Sequence, residues 1–334
     1  MNKQIIICFV AAIIIILFVL LIFYSSDDVS EIKAVYLIQT DSKITKLINS
    51  DYISYIKKMT IDYKEVDPCH QIFLKKGHHY VTFYIKKINT AFQMFYGAND
   101  LSEINLENFD ASDISDMGYM FWMCISLIEV KFPSLQKNNL KKMDSMFSGC
   151  SSLKGIYLSN SNLENVETME KMFYNCNALE RFYLYKVKTK NLKTVESMFC
   201  NCINLINVVF DYQFETNNIV DMSFMFSGCG KLYEISLYTF DTKNVEKMDS
   251  MFYGCSRLTS IDLSNFKTPK VKTMENMFYD CVKLEYLDIS NFDTSYAPKI
   301  LNEYAYFGTI IINRSFYNKI GSQVGSFWKK KFID

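Results

Sequence analysis

The dipeptide Met-Phe recurs at positions 94, 120, 146, 172, 198, 225, 251 and 277, every 26 residues except for one step of 27 between Met198 and Met225. A cysteine stands four residues after the methionine at Cys124, Cys150, Cys176, Cys202, Cys229, Cys255 and Cys281; the first copy has Ala98 in that place. Three residues further on comes a leucine in every copy: Leu101, Leu127, Leu153, Leu179, Leu205, Leu232, Leu258 and Leu284. Eight copies in phase confine the chain to a repeat architecture. A unit this short cannot bury its apolar face alone, so neighbours must stack and share one elongated core.

Each unit carries two periodicities. Met248, Met251, Phe252 and Cys255 fall at i, i+3, i+4 and i+7, the stripe of a short helix. Leu258, Ile261 and Leu263 then alternate as a strand does. Strands of successive units would pair in parallel about 4.8 Å apart, so eight coils would form a rod roughly 40 Å long. The expected fold is therefore an α/β repeat solenoid of parallel strands and short helices over residues 91–295.

The unit MFYGCSRLTSIDLSNFKT followed by VKTMENMF resembles the BspA-like leucine-rich repeats of bacterial, mycoplasmal and protist surface proteins. The likeness covers about residues 90–295 and is closest in the last two copies. In LERFYLYKVKTKNL and LINVVFDYQFETNNI the S-x-F-x-T portion is replaced. The resemblance implies a leucine-rich-repeat rod displayed at a cell surface, attaching to host cells, matrix or other microbes.

Ahead of the repeats, residues 5–24 read IIICFVAAIIIILFVLLIFY, without a charge or helix breaker. Twenty helical residues span roughly 30 Å, the thickness of a bilayer's hydrocarbon core. The expectation is an uncleaved transmembrane signal anchor over residues 1–24 that contacts the lipid bilayer. A cleaved signal peptide and a buried helix are the alternatives. Lys3 and the free amine on the short flank, against Lys33 on the other, favour an outward-facing remainder by a thin margin, since Asp27, Asp28 and Glu31 count for little in this rule. Residues 25–90 lack the repeat, and alternation such as Val81, Phe83 and Ile85 predicts a small β-rich cap. Residues 296–334, with Gly308–Ile312 and Trp328, are expected to close the other end.

Chemistry is sparse. Lys+Arg and Asp+Glu balance at 36 each, and no basic run exceeds Lys329–Lys331, which argues against a nucleic-acid partner. There is no G-x-S-x-G, P-loop, H-E-x-x-H or EF-hand loop. The three histidines, His70, His78 and His79, have no triad-like company. No enzyme activity, cofactor or metal is expected. The seven in-register cysteines read best as a structural column of small buried side chains. Disulfides between coils and metal binding are the weaker readings. Cys200, two residues before Cys202, lies off that column and is the better candidate for a reactive thiol or one paired with Cys69. Asn313-Arg314-Ser315 is a glycosylation sequon that an extracellular location would permit.

In L-x-x-I-x-L the residues flanking the inward Ile and Leu point away from the core, forming columns on the expected concave face. Aromatic residues gather in the middle coils, Tyr157, Tyr183, Tyr185 and Tyr238, with Arg181 beside them. Tyr and Arg supply large contact areas with a polar tip, so these five residues are the candidate protein- or glycan-binding patch. Tyrosine's preference for strands is the competing explanation. The leading functional expectation is a membrane-anchored surface protein for recognition or adhesion. A self-associating structural coat and a cytosol-facing membrane-tethered scaffold are the alternatives.

Overall fold

A computed structural model describes residues 29–333, apart from 42, 157, 159, 160, 294–297, 302–307, 325 and 327. The apolar segment 5–24 and Tyr157 thus lie outside the described residues. No helix among the described residues is long and apolar enough to cross a membrane.

The repeats form a β-solenoid, and the expected short helices are absent from the described repeats. The Met-Phe segment is instead a run of overlapping tight turns. In the copy around Met251, the N–H groups of Met251, Tyr253 and Cys255 bond to carbonyls three residues back. The alternate N–H groups of Ser250, Phe252 and Gly254 reach across to Glu275, Met277 and Tyr279 of the next coil. Two residues per copy have positive φ, one just before the methionine and one three after it, such as Ser250 (52°) and Gly254 (69°). Left-handed residues cannot continue a right-handed helix. The second of these positions is Gly or Asn in six copies, Gly97, Gly149, Asn175, Asn201, Gly228 and Gly254, the residues that tolerate this conformation best. Turns that repeat every three or four residues point Met248, Met251, Phe252 and Cys255 inward at the same spacing a helix would use. That coincidence is why the sequence pattern suggests α structure.

The second periodicity does give strands. β7 (Leu101–Asn105), β8 (Glu129–Lys131), β9 (Gly155–Ile156), β10 (Arg181–Leu184), β11 (Asn207–Phe210), β12 (Ser260–Asp262) and β13 (Tyr286–Ile289) are short and lie in successive coils, except that the coil of Ile235 and Leu237 has none. Where strands of neighbouring coils pair, they do so in parallel and in register, within β7–β9, β10–β11 and β12–β13: Ile104 with Val130, Phe182 with Val208, and Ile261 with Leu287. A further column of parallel bridges runs from Asp116 through Lys142, Thr168, Thr194, Asp221 and Lys247 to Thr273.

Three stacked columns hold the coils together. Phenylalanines 95, 121, 147, 173, 199, 226, 252 and 278 form one continuous stack with ring centroids 5.3–5.7 Å apart and planes within 10° of parallel. Buried Thr216 and Thr242 each donate to a carbonyl of the next coil, at 3.2 and 2.8 Å, and each accepts an N–H from it. The column cysteines act in the opposite direction. Each Sγ donates to the Phe carbonyl of the preceding coil, from Cys124 to Phe95 (3.1 Å) through to Cys281 and Phe252 (3.1 Å).

All nine described cysteines are free thiols. The seven column thiols are fully buried, and burial pushes their pKa values up, to about 12 for Cys124 and Cys281. Cys200 is also buried, beside Ser227 of the following coil, and is not joined to half-exposed Cys69 in the cap. A thiolate is the reactive form, so inaccessible, hard-to-ionise thiols should resist alkylation. Peptide mapping of native protein after alkylation is expected to find Cys69 labelled and the seven column cysteines untouched. Several column sites modified without denaturant would contradict the buried arrangement.

The N-terminal part is an antiparallel sheet. β1 (Val29–Ile38) pairs along its whole length with β6 (Gly77–Lys86), and β3 (Ile56–Ile61) pairs with β6 and with β4 (Lys64–Val66). β1 also pairs with β7, so this sheet runs directly into the solenoid's first strands. Val81, Phe83 and Ile85 of β6 are fully buried. β2 (Lys43–Lys46) and β5 (Gln71–Leu74) form a separate pair.

At the far end, β14 (Gly308–Asn313) and β15 (Trp328–Ile333) extend the parallel sheet beyond β13. Between them lies α1 (Arg314–Ile320). Asn313 caps this helix through its Oδ1 and uses its Nδ2 to bond the carbonyls of Ser290 (2.9 Å) and Phe292 (2.6 Å). The sequon nitrogen is thus already committed to holding the final coil.

Candidate recognition surface

Alternation in β10 sends Phe182 and Leu184 into the core and Arg181 and Tyr183 outward. Tyr183 is 47% exposed, and Tyr185, just past the strand, is 58% exposed. Parallel pairing places Arg181 beside Asn207 and Tyr183 beside Val209, itself 41% exposed. Tyr238 occupies the position of Tyr185 two coils further along, roughly 10 Å at the usual strand spacing, and is 73% exposed. Four of the five candidate residues therefore share one outward face; Tyr157, the fifth, lies outside the described residues.

The structure adds to this face a residue that lies outside the regular columns. Two residues separate the inward pair in ordinary units, as Ser264-Asn265 do between Leu263 and Phe266. Three separate Phe210 from Phe214: Asp211, Tyr212 and Gln213. Here lies the extra residue of the single 27-residue step. The loop closes because Phe214 N–H donates to the Asp211 carbonyl (3.1 Å) and Gln213 N–H to the Asp211 carboxylate (2.9 Å). The same carboxylate accepts the Lys186 N–H at 2.6 Å, tying the loop to the coil before it. Tyr212 stands at the crest, 74% exposed, between the coils of Tyr185 and Tyr238. The change in step from 26 to 27 was the sequence signal for it.

The charges on this face are partly uncommitted. Arg181 has no ion-pair partner among the described residues, and Lys186 packs its ammonium over the Tyr185 ring at 5.7 Å. Lys188 is held by Glu164 at 3.4 Å. Beside the tyrosines, Gln136, Ser161, Asn162, Lys186, Lys188 and Gln213 line an open cleft of about 220 Å³. Aromatic rings, amides and cations presented on one face of the solenoid can grip a partner by stacking and hydrogen bonding. Among the described residues no group of three or more His, Cys, Asp or Glu side chains is placed to hold a metal ion.

The family model described as "Mycoplasma protein of unknown function, DUF285" matches residues 86–212 and again 204–309. Between them the two matches span the repeats and more than half the chain. A search of curated proteins gave no match.

Proposed function

The chain belongs to the DUF285 family, and we propose that it is a non-enzymatic recognition protein whose solenoid presents Arg181, Tyr183, Tyr185, Tyr212 and Tyr238 to a protein or glycan. One observation carries this reading. The repeat departs from its 26-residue step only once, and that departure lifts a tyrosine into solvent beside three others. Folding gains nothing from a Tyr212 ring left 74% exposed. Burial is what makes an aromatic side chain stabilising, so these rings are available to a partner. The anchor at residues 5–24, an outward orientation and kinship with BspA-like adhesins belong to the same proposal. A rod held at a membrane would keep this face clear of the lipid.

The protein should bind a subset of features on an array of immobilised glycans and matrix proteins. Tyr183→Ser combined with Tyr185→Ser should lower that binding at least tenfold without changing the melting temperature. Both side chains point out of the core, so truncating them leaves no cavity. An empty array, or the same binding profile for wild type and variant, would remove the proposal's basis.

A further inference from the structure

A second concave site lies where the N-terminal sheet meets the solenoid. It is a cleft of about 230 Å³ over the outward face of β6, β1, β7 and β8. Register fixes its floor. One row across the four strands reads Tyr80, Val35, Glu103, Glu129. The next row reads Thr82, Lys33, Asn105, Lys131.

Tyr63 overhangs this floor from the turn joining β3 and β4. Asp62 and Tyr63 both have positive φ, 49° and 65°, the geometry of a two-residue hairpin turn. Asp62 pins the turn to β6: its N–H donates to the Tyr80 carbonyl (2.8 Å), and its carboxylate accepts the Tyr80 N–H (3.0 Å). The Tyr63 ring, 85% exposed, stacks on that of Tyr80 with centroids 6.0 Å apart and planes 23° from parallel. A bulky residue in the left-handed region is uncommon, and here it holds an aromatic pair at the cleft's edge.

The floor carries two lysines and two glutamates, and they differ in which already have partners. Lys33 is engaged by Glu31 at 3.0 Å, and the Asn105 amide bonds Glu107 through both its oxygen and its nitrogen. Glu103 and Glu129 stand directly opposite one another on paired strands, and neither has an ion-pair partner among the described residues. Like charges placed opposite each other repel. With Lys33 engaged by Glu31, Glu103 and Glu129 share Lys131, two residues along from Glu129, as the one cation of the floor not already engaged. Small, low Val35 separates the aromatic pair from the carboxylates by roughly 10 Å, two strand spacings.

We infer that this cleft binds a small organic cation, an ammonium or guanidinium of about the size of choline or agmatine, between the Tyr63–Tyr80 pair and the Glu103–Glu129 pair. Ring faces carry negative electrostatic potential and attract such cations, and the two carboxylates supply complementary charge. The site is distinct from the tyrosine surface of β10 and does not depend on it.

The test is calorimetric titration of the full-length chain with choline, with agmatine, and with choline's uncharged isostere in which carbon replaces the quaternary nitrogen. Choline and agmatine should bind saturably, and the isostere at least tenfold more weakly. Glu103→Gln with Glu129→Gln should erase the preference for charge. Tyr63→Gly should weaken both cations about three- to thirty-fold, the range of a cation–π contact. Glycine suits the left-handed turn, so this variant should melt no lower than wild type, which separates lost binding from lost fold. Equal binding of the isostere, failure of either cation to saturate, or unchanged affinity in both variants would overturn the inference.

Discussion

Replacing Phe173 by Ala should destabilise the protein by about 3–5 kcal/mol, the usual cost of removing a buried phenylalanine. Phe173 is fully buried near the middle of the phenylalanine stack, between Phe147 at 5.6 Å and Phe199 at 5.4 Å. It also meets Phe182 of its own coil at 4.7 Å, and Phe182 in turn touches Phe199 at 5.2 Å. The substitution therefore removes one ring from a four-ring cluster, and the rigid backbone ladder on either side prevents collapse. In a solenoid each coil contacts only its neighbours, so coupling between the two halves passes through such interfaces. Denaturant unfolding should shift to lower concentration and separate into two transitions as the halves uncouple. Phe173→Leu keeps most of the volume and should cost far less while unfolding in a single step. A single transition for Phe173→Ala with less than about 1 kcal/mol lost would mean that the stack contributes little to cohesion.

Which residues face inward was largely legible from the sequence. The Met, Phe, Cys and Leu columns are at most 1% exposed in every copy, because stacking identical units puts identical positions into one core. The path of the backbone between those residues was not legible. Met248, Met251, Phe252 and Cys255 satisfy the helical template, yet the positive φ of Ser250 and Gly254 converts the segment into turns whose alternate N–H groups serve the next coil. A side-chain pattern reports which residues point inward, and here two backbone geometries share that answer. A residue such as Ser250 gives little local sign of its left-handed conformation; only the next coil, accepting its N–H through Glu275, makes that conformation worthwhile. Columns counted from each unit's leucine reach Tyr183, Tyr185 and Tyr238, but the lengthened step puts Tyr212 outside them. The cleft over β1 was hidden for another reason. Its walls come from a hairpin turn, two antiparallel strands and two repeat strands that meet only in the folded protein.

Deleting Tyr212 restores the 26-residue step and should leave the solenoid as stable as before while binding to the array ligand falls about thirtyfold. Stability should hold because two residues between the inward pair is the ordinary arrangement, as Tyr238-Thr239 show between Leu237 and Phe240 one coil later. The deletion also removes a ring that is 74% exposed and contributes no core contact. The expected loss of affinity is that of one hot-spot tyrosine, about 2 kcal/mol, with each 1.4 kcal/mol worth tenfold. Tyr212→Ser separates ring from loop, since it keeps the extra residue and the Asp211 anchor while removing the aromatic surface. Equal losses in both variants would assign the effect to the ring. A loss confined to the deletion would assign it to the raised loop and the placement of Lys186, whose N–H is held by Asp211 at 2.6 Å. If neither variant changes affinity, the extra residue is a neutral insertion and the recognition surface must lie on another face of the rod.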